Sequence, residues 1–291
     1  ALRLHLPTAH IIIDSINGVD LTKANAEVAM KAGSLVTIAG HVENNDDFNG
    51  IVSLTVRDNL ETITCHLNQP KEADEAFEYT DRTKTIFSGD DRITNGRFSM
   101  TFAVPKDINY SNQSGLINAF AINDDHTLTA HGYSERFMVG GSDIAQNDSV
   151  GPSIYCYLNS PSFSNGDRVN STPYFVAELK DKDGINASGA GIGHDMQLII
   201  DVKMEMTYSL NDNFQYDFGS YTSGSTYYNI PQLEVGPHKL QFRAWDILNN
   251  YSTAELTFHV VQSQKPSFSI GCTNNPAREQ TTFIISHDRT G

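Results

Sequence analysis

Hydrophobic and polar residues alternate with a period of two along much of the chain. Residues 97–104, 239–245 and 255–261 each place apolar side chains at every second position. β-Branched residues reinforce the same pattern in residues 34–42 and 50–56. Such alternation predicts strands with one buried face, as in antiparallel sheets. The predicted buried faces are Phe98, Met100, Phe102 and Val104 in the first segment, Leu240, Phe242 and Ala244 in the second, and Leu256, Phe258 and Val260 in the third.

Turn-forming residues separate these segments. Asn-Gly pairs occur at 95–96 and 165–166, and an Asp-Gly pair occurs at 183–184. These residue types tolerate the positive φ that tight turns need. Only residues 23–30 and 71–79 have a composition that predicts helix, and neither alternates with strands as a βαβ fold requires. Strands at this spacing over two stretches of about 120 residues predict two Ig-like β-sandwiches.

The predicted fold class is all-β, with two tandem Ig-like β-sandwiches and the start of a third Ig-like unit. The first sandwich is placed at residues 9–140 and is predicted to end in a strand at 128–139. A polar linker at 140–148 follows, and the second sandwich occupies 149–262. Residues 266–291 are predicted to begin a partial unit with strands at 267–270 and 281–285, too few to enclose a core.

Composition narrows the class of function. The chain has 291 residues with 20 basic and 35 acidic side chains, giving a formal net charge of −15 at pH 7. A surface this acidic repels phosphate backbones, so we expect no nucleic-acid partner. The sequence has no run of about 18 apolar residues, so we expect no membrane-spanning helix. The first residue is Ala1 rather than Met, and no signal-peptide pattern follows it. We therefore expect that the chain was processed or cut from a longer one.

Cys65, Cys156 and Cys272 are the candidate nucleophiles. A catalytic cysteine needs a histidine base within hydrogen-bond reach. Cys65 precedes His66 in a predicted strand, where neighbouring side chains point to opposite faces. Cys156 lies in an apolar strand, where a thiol behaves as a small buried hydrophobe. We expect all three to be unreactive, this chain to hold no catalytic residue, and no zinc site, because the ten histidines are scattered.

Asp181, Asp183 and Asn186 form a weak candidate for a calcium loop. An EF-hand loop would carry glycine at its sixth position and glutamate at its twelfth. Counted from Asp181, this sequence has glycine fourth and isoleucine twelfth. A polar turn between two strands is the favoured interpretation. Apart from this calcium candidate, we expect no cofactor and no metal.

Two further function classes stay open. Tyr221, Tyr227 and Tyr228 can form a sugar-binding platform, although tyrosines in strands more often pack on a sheet face. A stand-alone surface glycan-binding or adhesin module is therefore one alternative. A hydrolase with paired carboxylates is the other, but 35 acidic residues make a chance pair expected. Trp245, the only tryptophan, is predicted to plug a core at a strand end.

A set of ordered motifs resembles one protein family along the whole chain. The most specific lie in the second predicted sandwich, in residues 184–201 (GINASGAGIGHDMQLIID) and 233–250 (LEVGPHKLQFRAWDILNN). Residues 104–110 (VPKDINY), 208–211 (YSLN) and 275–277 (NPA) agree as well, as does the start ALRL followed by Pro7. Together they resemble the C-terminal region of the type IX secretion system sortases, which are gingipain-like cysteine peptidases.

The resemblance implies a function for a longer parent protein. Members of this family remove C-terminal sorting signals from secreted cargo and help to anchor that cargo at the cell surface of Gram-negative bacteria. Their catalytic cysteine and histidine lie in an upstream caspase-like domain and match no position here. Residues 1–8 would be the end of that peptidase domain or a linker. This chain would then be a non-catalytic part of a cysteine endopeptidase, with the upstream domain, other secretion components or a cell-surface glycan as partners.

The GHD and RAWD motifs also predict a structural network. Arg243 and Asp246 carry opposite charges in the second predicted sandwich, as do His194, when protonated, and Asp195. We expect Arg243 or Asp246 to pair with His194 or Asp195 across the sandwich edge, with hydrogen-bond distances near 3 Å. Together with Trp245, these four residues are the predicted structural motif.

Overall fold

The computed structural model describes residues 8–23, 28–65, 76–143, 148–189, 191, 193–262, 268–272 and 282–287. Over these residues the regular structure is β-strand, apart from two short 3-10 turns at Met204–Met206 and Asn211–Asn213. The predicted all-β sandwich class is confirmed. In the described part of the chain, no helix is long and apolar enough to cross a membrane.

The first sandwich is built around a seven-strand path that is continuous because one strand belongs to both layers. Ala9 and His10 pair in parallel with a neighbour at 129–134, whereas Ile11–Ile16 pair antiparallel with a neighbour at 35–42. A register shift between Ile13 and Ser15 accompanies the crossing, as expected of a bulge that bends a strand between sheets. The strands are β1 Ala9–Ile16, β2 Val19–Asp20, β3 Ala29–Ala32, β4 Leu35–Val42, β5 Gly50–Arg57, β6 Glu61–Thr64, β7 Glu78–Asp81, β8 Thr85–Ile93, β9 Arg97–Ala103, β10 Gln113–Ser114, β11 Leu116–Asn123, β12 Thr129–Ser134 and β13 Met138–Ser142.

Sheet order follows from these pairings. The main path runs β8-β5-β11-β12-β1-β4-β9, with β2 paired to β1. A small sheet, β10-β13-β3, and the pair β6-β7 complete this part. Phe98, Met100 and Phe102 of β9 are buried, as their alternation predicts, and face a core that gathers apolar residues from Ile11 to Val139.

The second sandwich packs a four-stranded sheet, β14-β16-β20-β19, on a five-stranded sheet, β15-β22-β21-β17-β18. Its core extends from Leu158 to Val260 and is separate from the first. The predicted faces of the two long strands of this sheet, β21 and β22, are buried there. The strands are β14 Ser153–Leu158, β15 Arg168–Val169, β16 Tyr174–Lys180, β17 Gln197–Ile200, β18 Thr207–Ser209, β19 Gln215–Tyr216, β20 Ser223–Asn229, β21 Gly236–Trp245 and β22 Tyr251–Val260.

Beyond the second sandwich, β23 (Phe268–Cys272) and β24 (Phe283–His287) form an antiparallel pair. Ile270, Phe283 and Ile285 are exposed on it. The two cores agree with a division into two sandwiches, while the bounds 9–140, 149–262 and 266–291 stay a prediction.

Three local predictions are wrong. The described parts of both predicted helices contain strand and no helix, because β3 pairs with β13 and β7 pairs with β6, so pairing overrides local propensity. Residues 24–27 and 71–75 of those segments lie outside the described residues. The predicted strand at 128–139 is two strands, β12 and β13, because the chain leaves the main sheet for the small one and buries Phe137 between them.

Candidate functional site at the junction of the two sandwiches

A single carboxylate joins the two sandwiches. Asp107 follows β9, and its side chain is only 8% exposed. Its Oδ2 accepts hydrogen bonds from Asn186 Nδ2 at 3.0 Å and His194 Nδ1 at 2.8 Å, and its Oδ1 accepts one from Asn249 Nδ2 at 2.9 Å. All three donors belong to the second sandwich. Since a carboxylate only accepts, the histidine proton at this contact is on Nδ1.

The turn after β21 presents one of these donors. Asn249 has φ of +67°, a left-handed conformation that asparagine tolerates. The buried carboxylate of Asp246 shapes the turn: its Oδ1 accepts from the backbone N–H groups of Leu248 (2.9 Å) and Asn250 (2.7 Å). Burial raises the pKa of Asp246, and the hydrogen bonds from Asn250 oppose that rise. The Asp246 carboxylate therefore binds backbone groups of its own turn and not a partner across the sandwich.

The loop that carries His194 needs a glycine. A Cβ on Gly191 would lie 2.4 Å from His194 Nδ1 and 2.6 Å from Asp107 Cγ. Both side chains are held by the hydrogen bond between them, so neither can move away at low cost. Gly191 thus permits the close approach of this loop to the first sandwich.

The segment that carries Asp107 is fixed at both ends. On the side of the second sandwich, Lys106 donates its backbone N–H to Ile247 O (2.9 Å) and its ammonium to Leu248 O (2.8 Å). On the side of the first, the backbone N–H of Asn109 donates to Asp58 Oδ2 (2.7 Å), and Asp58 is fully buried. Desolvation raises the pKa of Asp58.

Apolar contacts surround the polar link. Ala103, Ile247 and Leu248 form a small buried cluster against which Tyr221 packs. Tyr216 contacts both sandwich cores, with its ring 5.2 Å from that of Phe87. Its hydroxyl donates to Ile185 O at 2.7 Å, and burial raises its pKa. The junction therefore combines an apolar contact with a satisfied buried carboxylate, which favours one relative arrangement of the sandwiches.

Arg243 and Trp245 of β21 contact the loop that carries His194. Arg243 donates to Gly193 O (3.1 Å) and Gln197 Oε1 (3.2 Å), and its guanidinium lies 5.4 Å from the Trp245 ring. That indole lies 4.2 Å from the His194 ring. Trp245 is half-buried on the face of β21 opposite the core residues. The prediction that it plugs the core is therefore wrong, because the alternation of β21 turns it outward.

The predicted motif residues come together, but with other partners. The GHD segment (193–195) and the RAWD segment (243–246) meet through the Trp245–His194 and Arg243–Gly193 contacts. His194 takes Asp107 as its ionic partner and Asp246 caps its own turn. In the described part of the chain Asp195 makes no bond to Arg243, so the expected ion pairs across the sandwich edge are replaced by a link between sandwiches.

The calcium candidates are engaged in protein contacts. Asp181 Oδ1 accepts from the backbone N–H of Asp183 (2.8 Å) and Gly184 (3.3 Å), and Asn186 binds Asp107. Lys182 Nζ lies 3.0 Å from Asp183 Oδ2. Among the described residues, no group of three or more His, Cys, Asp or Glu side chains is arranged to hold a metal ion. Calcium binding by the three candidates stays a prediction.

Asp148 and the calcium candidate Asp181 have opposite pKa shifts. The Lys182 ammonium, 2.9 Å from Asp148, and a hydrogen bond with Asp183 lower the pKa of Asp148 to about 2. Burial raises the pKa of Asp181 to about 6, against its turn hydrogen bonds. Asp181 is thus an ionisable group whose charged form the fold disfavours.

The three cysteines are not joined in disulfides. Cys156 is half-buried in β14, and burial raises its pKa to about 11, so its thiolate is scarce at neutral pH. Cys65 and Cys272 are exposed, so the burial that would keep a thiol unreactive is present only at Cys156. His66 lies outside the described residues.

A match to a solved structure is the informative comparison with known proteins. No family model matches the chain, and no curated protein matches it at a significant level. Among solved structures, dimeric latent PorU from Porphyromonas gingivalis is 31% identical, with a TM-score of 0.54, over 99% of this chain and 27% of that chain. The chain is similar to PorU in sequence and fold. It spans about a quarter of the length of the PorU chain.

Two other solved structures match with low scores. A bacterial 1.5-MDa ice-binding adhesin is 15% identical over 93% of this chain and 70% of its own, with a TM-score of 0.23. Red sea bream transglutaminase is 9% identical over 89% and 32%, with a TM-score of 0.22. Neither score supports an inference about function.

Sequence reasoning missed the central residue of the junction. The motifs at 104–110, 184–201 and 233–250 contain Asp107 and its three partners, but nothing in their spacing shows that Asp107 binds Asn186, His194 and Asn249. Those partners are 79, 87 and 142 residues away in the chain. The clustering of polar motif residues beside apolar strands was the available signal, since such residues need partners when buried.

Proposed function

We propose that this chain is the non-catalytic Ig-like region of a gingipain-like cysteine endopeptidase of the type IX secretion sortase family. The observation that carries the proposal is the 31% identity to PorU over 99% of this chain. The parent would remove C-terminal sorting signals and anchor cargo at the outer face of the outer membrane. The upstream peptidase domain is its first expected partner.

The geometry supports a positioning role for this region. Three of the motifs that carry the family resemblance, at 104–110, 184–201 and 233–250, supply the residues that form hydrogen bonds between the sandwiches. Cys156 is a poor nucleophile because burial raises its pKa. A region of this kind would hold a peptidase domain at a fixed distance and orientation from other surface components.

The first test is the reading frame that precedes Ala1. We expect a caspase-like domain with a cysteine and a histidine in it. A short secretion signal directly before Ala1, with no peptidase domain, would contradict the proposal and favour a stand-alone module.

The second test uses the full-length protein in its own host. Cleavage of a cargo protein with a C-terminal sorting signal is followed by immunoblot. Substitution of the upstream cysteine should abolish cleavage, whereas a triple Cys→Ser variant at Cys65, Cys156 and Cys272 should retain it. Loss of cleavage in the triple variant, with normal protein levels, would place the nucleophile in this chain. Labelling of intact cells with an antibody to this region should show it at the cell surface.

A further inference from the structure

The outer face of the sheet β14-β16-β20-β19 carries a cluster of tyrosines that the junction does not use. Tyr155 and Tyr157 project from β14, Tyr174 from β16 and Tyr227 from β20, on the side opposite the buried residues of each strand. We call these four residues the tyrosine face. Tyr155 is 50% exposed and Tyr227 is 40% exposed. Of the three tyrosines that the sequence suggested, only Tyr227 belongs to it; Tyr221 and Tyr228 pack inward.

Strand register arranges these tyrosines in a strip. Tyr157, Val176 and Tyr227 are direct neighbours across three strands. The Tyr155 ring lies 5.6 Å from that of Tyr157, and the Tyr174 ring lies 5.9 Å from that of Tyr227. Two aromatic pairs therefore flank one small aliphatic residue. Adjacent strands are about 4.8 Å apart, so the strip spans roughly 10 Å across the sheet.

The ring hydroxyls and the neighbouring side chains make this strip polar at its edges. Tyr155 donates to Pro161 O at 2.9 Å, which fixes its ring. In the described part of the chain, the hydroxyls of the other three have no protein partner and are available to a ligand. Ser225 lies next to Glu178 along the same face, and Asn229 lies next to Tyr174.

The charge of this face differs from that of the whole chain. Glu178 and Lys180 project from β16 on the same side as Tyr174 and balance each other, while the chain has a net charge of −15. At the Lys180 end, a shallow concavity of about 490 Å³ continues the surface, lined by Lys180, Asp181, Lys182, Thr222 and Ser223. Lys182 already pairs with Asp148 and Asp183 there. The outer face of β16 thus carries one acidic and one basic side chain, beside hydroxyl and amide groups on the neighbouring strand.

We propose that the tyrosine face and the adjoining concavity bind a neutral oligosaccharide that lies along β16. The C–H groups on one side of a pyranose ring would stack on the electron-rich faces of Tyr157 and Tyr227. The strand from Tyr174 to Lys180 extends about 20 Å, long enough for several sugar rings. Serine, threonine and asparagine side chains along it would bond the ring hydroxyls. This inference does not rest on the peptidase proposal.

An anionic ligand fits this surface less well. An anionic glycan would meet no net positive charge, because Lys182 is paired with Asp148 and Asp183 and Lys180 shares its face of β16 with Glu178.

The test is titration of the 291-residue chain with neutral hexasaccharides, namely cellohexaose, laminarihexaose, mannohexaose and chitohexaose, and with an anionic oligogalacturonate. We expect saturable binding of at least one neutral glycan by calorimetry. The double variant Y157A/Y227A should weaken that binding about tenfold or more, because it removes both rings on which the sugar would stack. Y157F/Y227F, which keeps the rings, should bind within a few-fold of the unmodified chain.

The matched control is Y133A, because Tyr133 is 69% exposed on the first sandwich, away from the tyrosine face. It should leave binding unchanged. In case the alanine variants do not fold, nitration of the unmodified chain provides a second readout. The bound glycan should protect Tyr157 and Tyr227 and leave Tyr133 reactive. The proposal is overturned by no saturable binding to any neutral glycan, by binding confined to the anionic one, or by equal protection of Tyr133.

Discussion

Nδ1 of His194 in the second sandwich lies 2.8 Å from Oδ2 of Asp107 in the first. The same carboxylate accepts two further hydrogen bonds from the second sandwich, and its side chain is almost fully buried. Hydrogen bonds to a charged group contribute about 1.5–3 kcal/mol each, and an abandoned buried donor costs a similar amount. We infer that this contact fixes how the two sandwiches are arranged.

Replacing Asp107 with alanine should destabilise the junction. The change leaves the buried amide of Asn186 and the imidazole of His194 without their acceptor, so we expect a loss of about 3 kcal/mol in the free energy of unfolding. D107N retains one acceptor oxygen and should lose less. The measurement is urea unfolding followed by circular dichroism. D125A is the matched control, since Asp125 is exposed in the loop after β11. An equal effect of D107A and D125A would show that the junction contact does not stabilise the fold.

The single tryptophan reports on the same junction. Trp245 lies 4.2 Å from the His194 ring, close enough for the imidazole to quench its fluorescence. H194A should therefore brighten the emission of the folded chain. H238A is the control, because His238 pairs with Asp201 at the far end of β21. If the two variants change the emission alike, the close ring contact is not present in solution.

A methyl group at Gly191 should disturb the link between Asp107 and His194. The added Cβ would overlap both side chains, and overpacking of this kind costs about 1–3 kcal/mol. G193A separates this clash from simple backbone strain: Gly193 has φ of +80° but nothing within 4 Å of its Cβ position. We expect the Trp245 emission to change in G191A and to stay close to that of the unmodified chain in G193A. The reverse order would count against the close approach.

Asp181 should make stability depend on pH. Burial raises its pKa to about 6, whereas the unfolded chain has the ordinary value near 3.9, so the folded state binds the proton more tightly. Stability from this group is present at low pH and is lost as the pH rises from about 4 through 6. D181N keeps an acceptor for the turn and should stabilise the chain by about 1 kcal/mol at pH 7.5, a value reduced for solvent screening of a half-buried group.

The increase in the free energy of unfolding that D181N produces should be smaller at pH 4, because Asp181 is then neutral in the folded state. Urea unfolding at the two pH values measures both quantities. D183N is the comparison, as Asp183 is paired with Lys182. A gain from D181N that is equal at both pH values would rule out the titration of Asp181 as its cause.

Thiol reactivity should follow exposure. Cys65 and Cys272 are exposed, whereas Cys156 is half-buried with a raised pKa. A disulfide reagent at pH 7.5 should therefore modify two thiols rapidly and the third only in denaturant. C156S should remove the slow phase alone. Rapid modification of all three thiols in the native chain would show that β14 opens or that Cys156 is activated.

Much of the local structure can be predicted from the sequence. The alternation in 97–104, 239–245 and 255–261 predicts buried faces that the structure confirms, because in a strand residues two apart share a face whatever the partner strand is. Residues 23–30 and 71–79 mislead because their alanine and glutamate content favours helix locally, while the described parts of both segments gain more by pairing in sheets.

The tyrosine face and the junction around Asp107 are harder to predict from the sequence. Tyr155, Tyr157 and Tyr174 look like ordinary strand residues in the sequence, and only strand register places them beside Tyr227. The pairing of Arg243 or Asp246 with His194 or Asp195 was expected from charges in one sandwich. The actual partner, Asp107, lies in the other.

The sequence by itself determined the all-β class, the buried faces of the main strands and the motifs that resemble one secretion-linked family. Those features depend on neighbours within a few residues or on the order of residues along the chain. Only the tertiary structure decided that Asp107 gathers Asn186, His194 and Asn249, and that four tyrosines form one face. Both outcomes depend on which strands pair and how the sandwiches pack, since a buried carboxylate takes whatever donors the packing brings within about 3 Å.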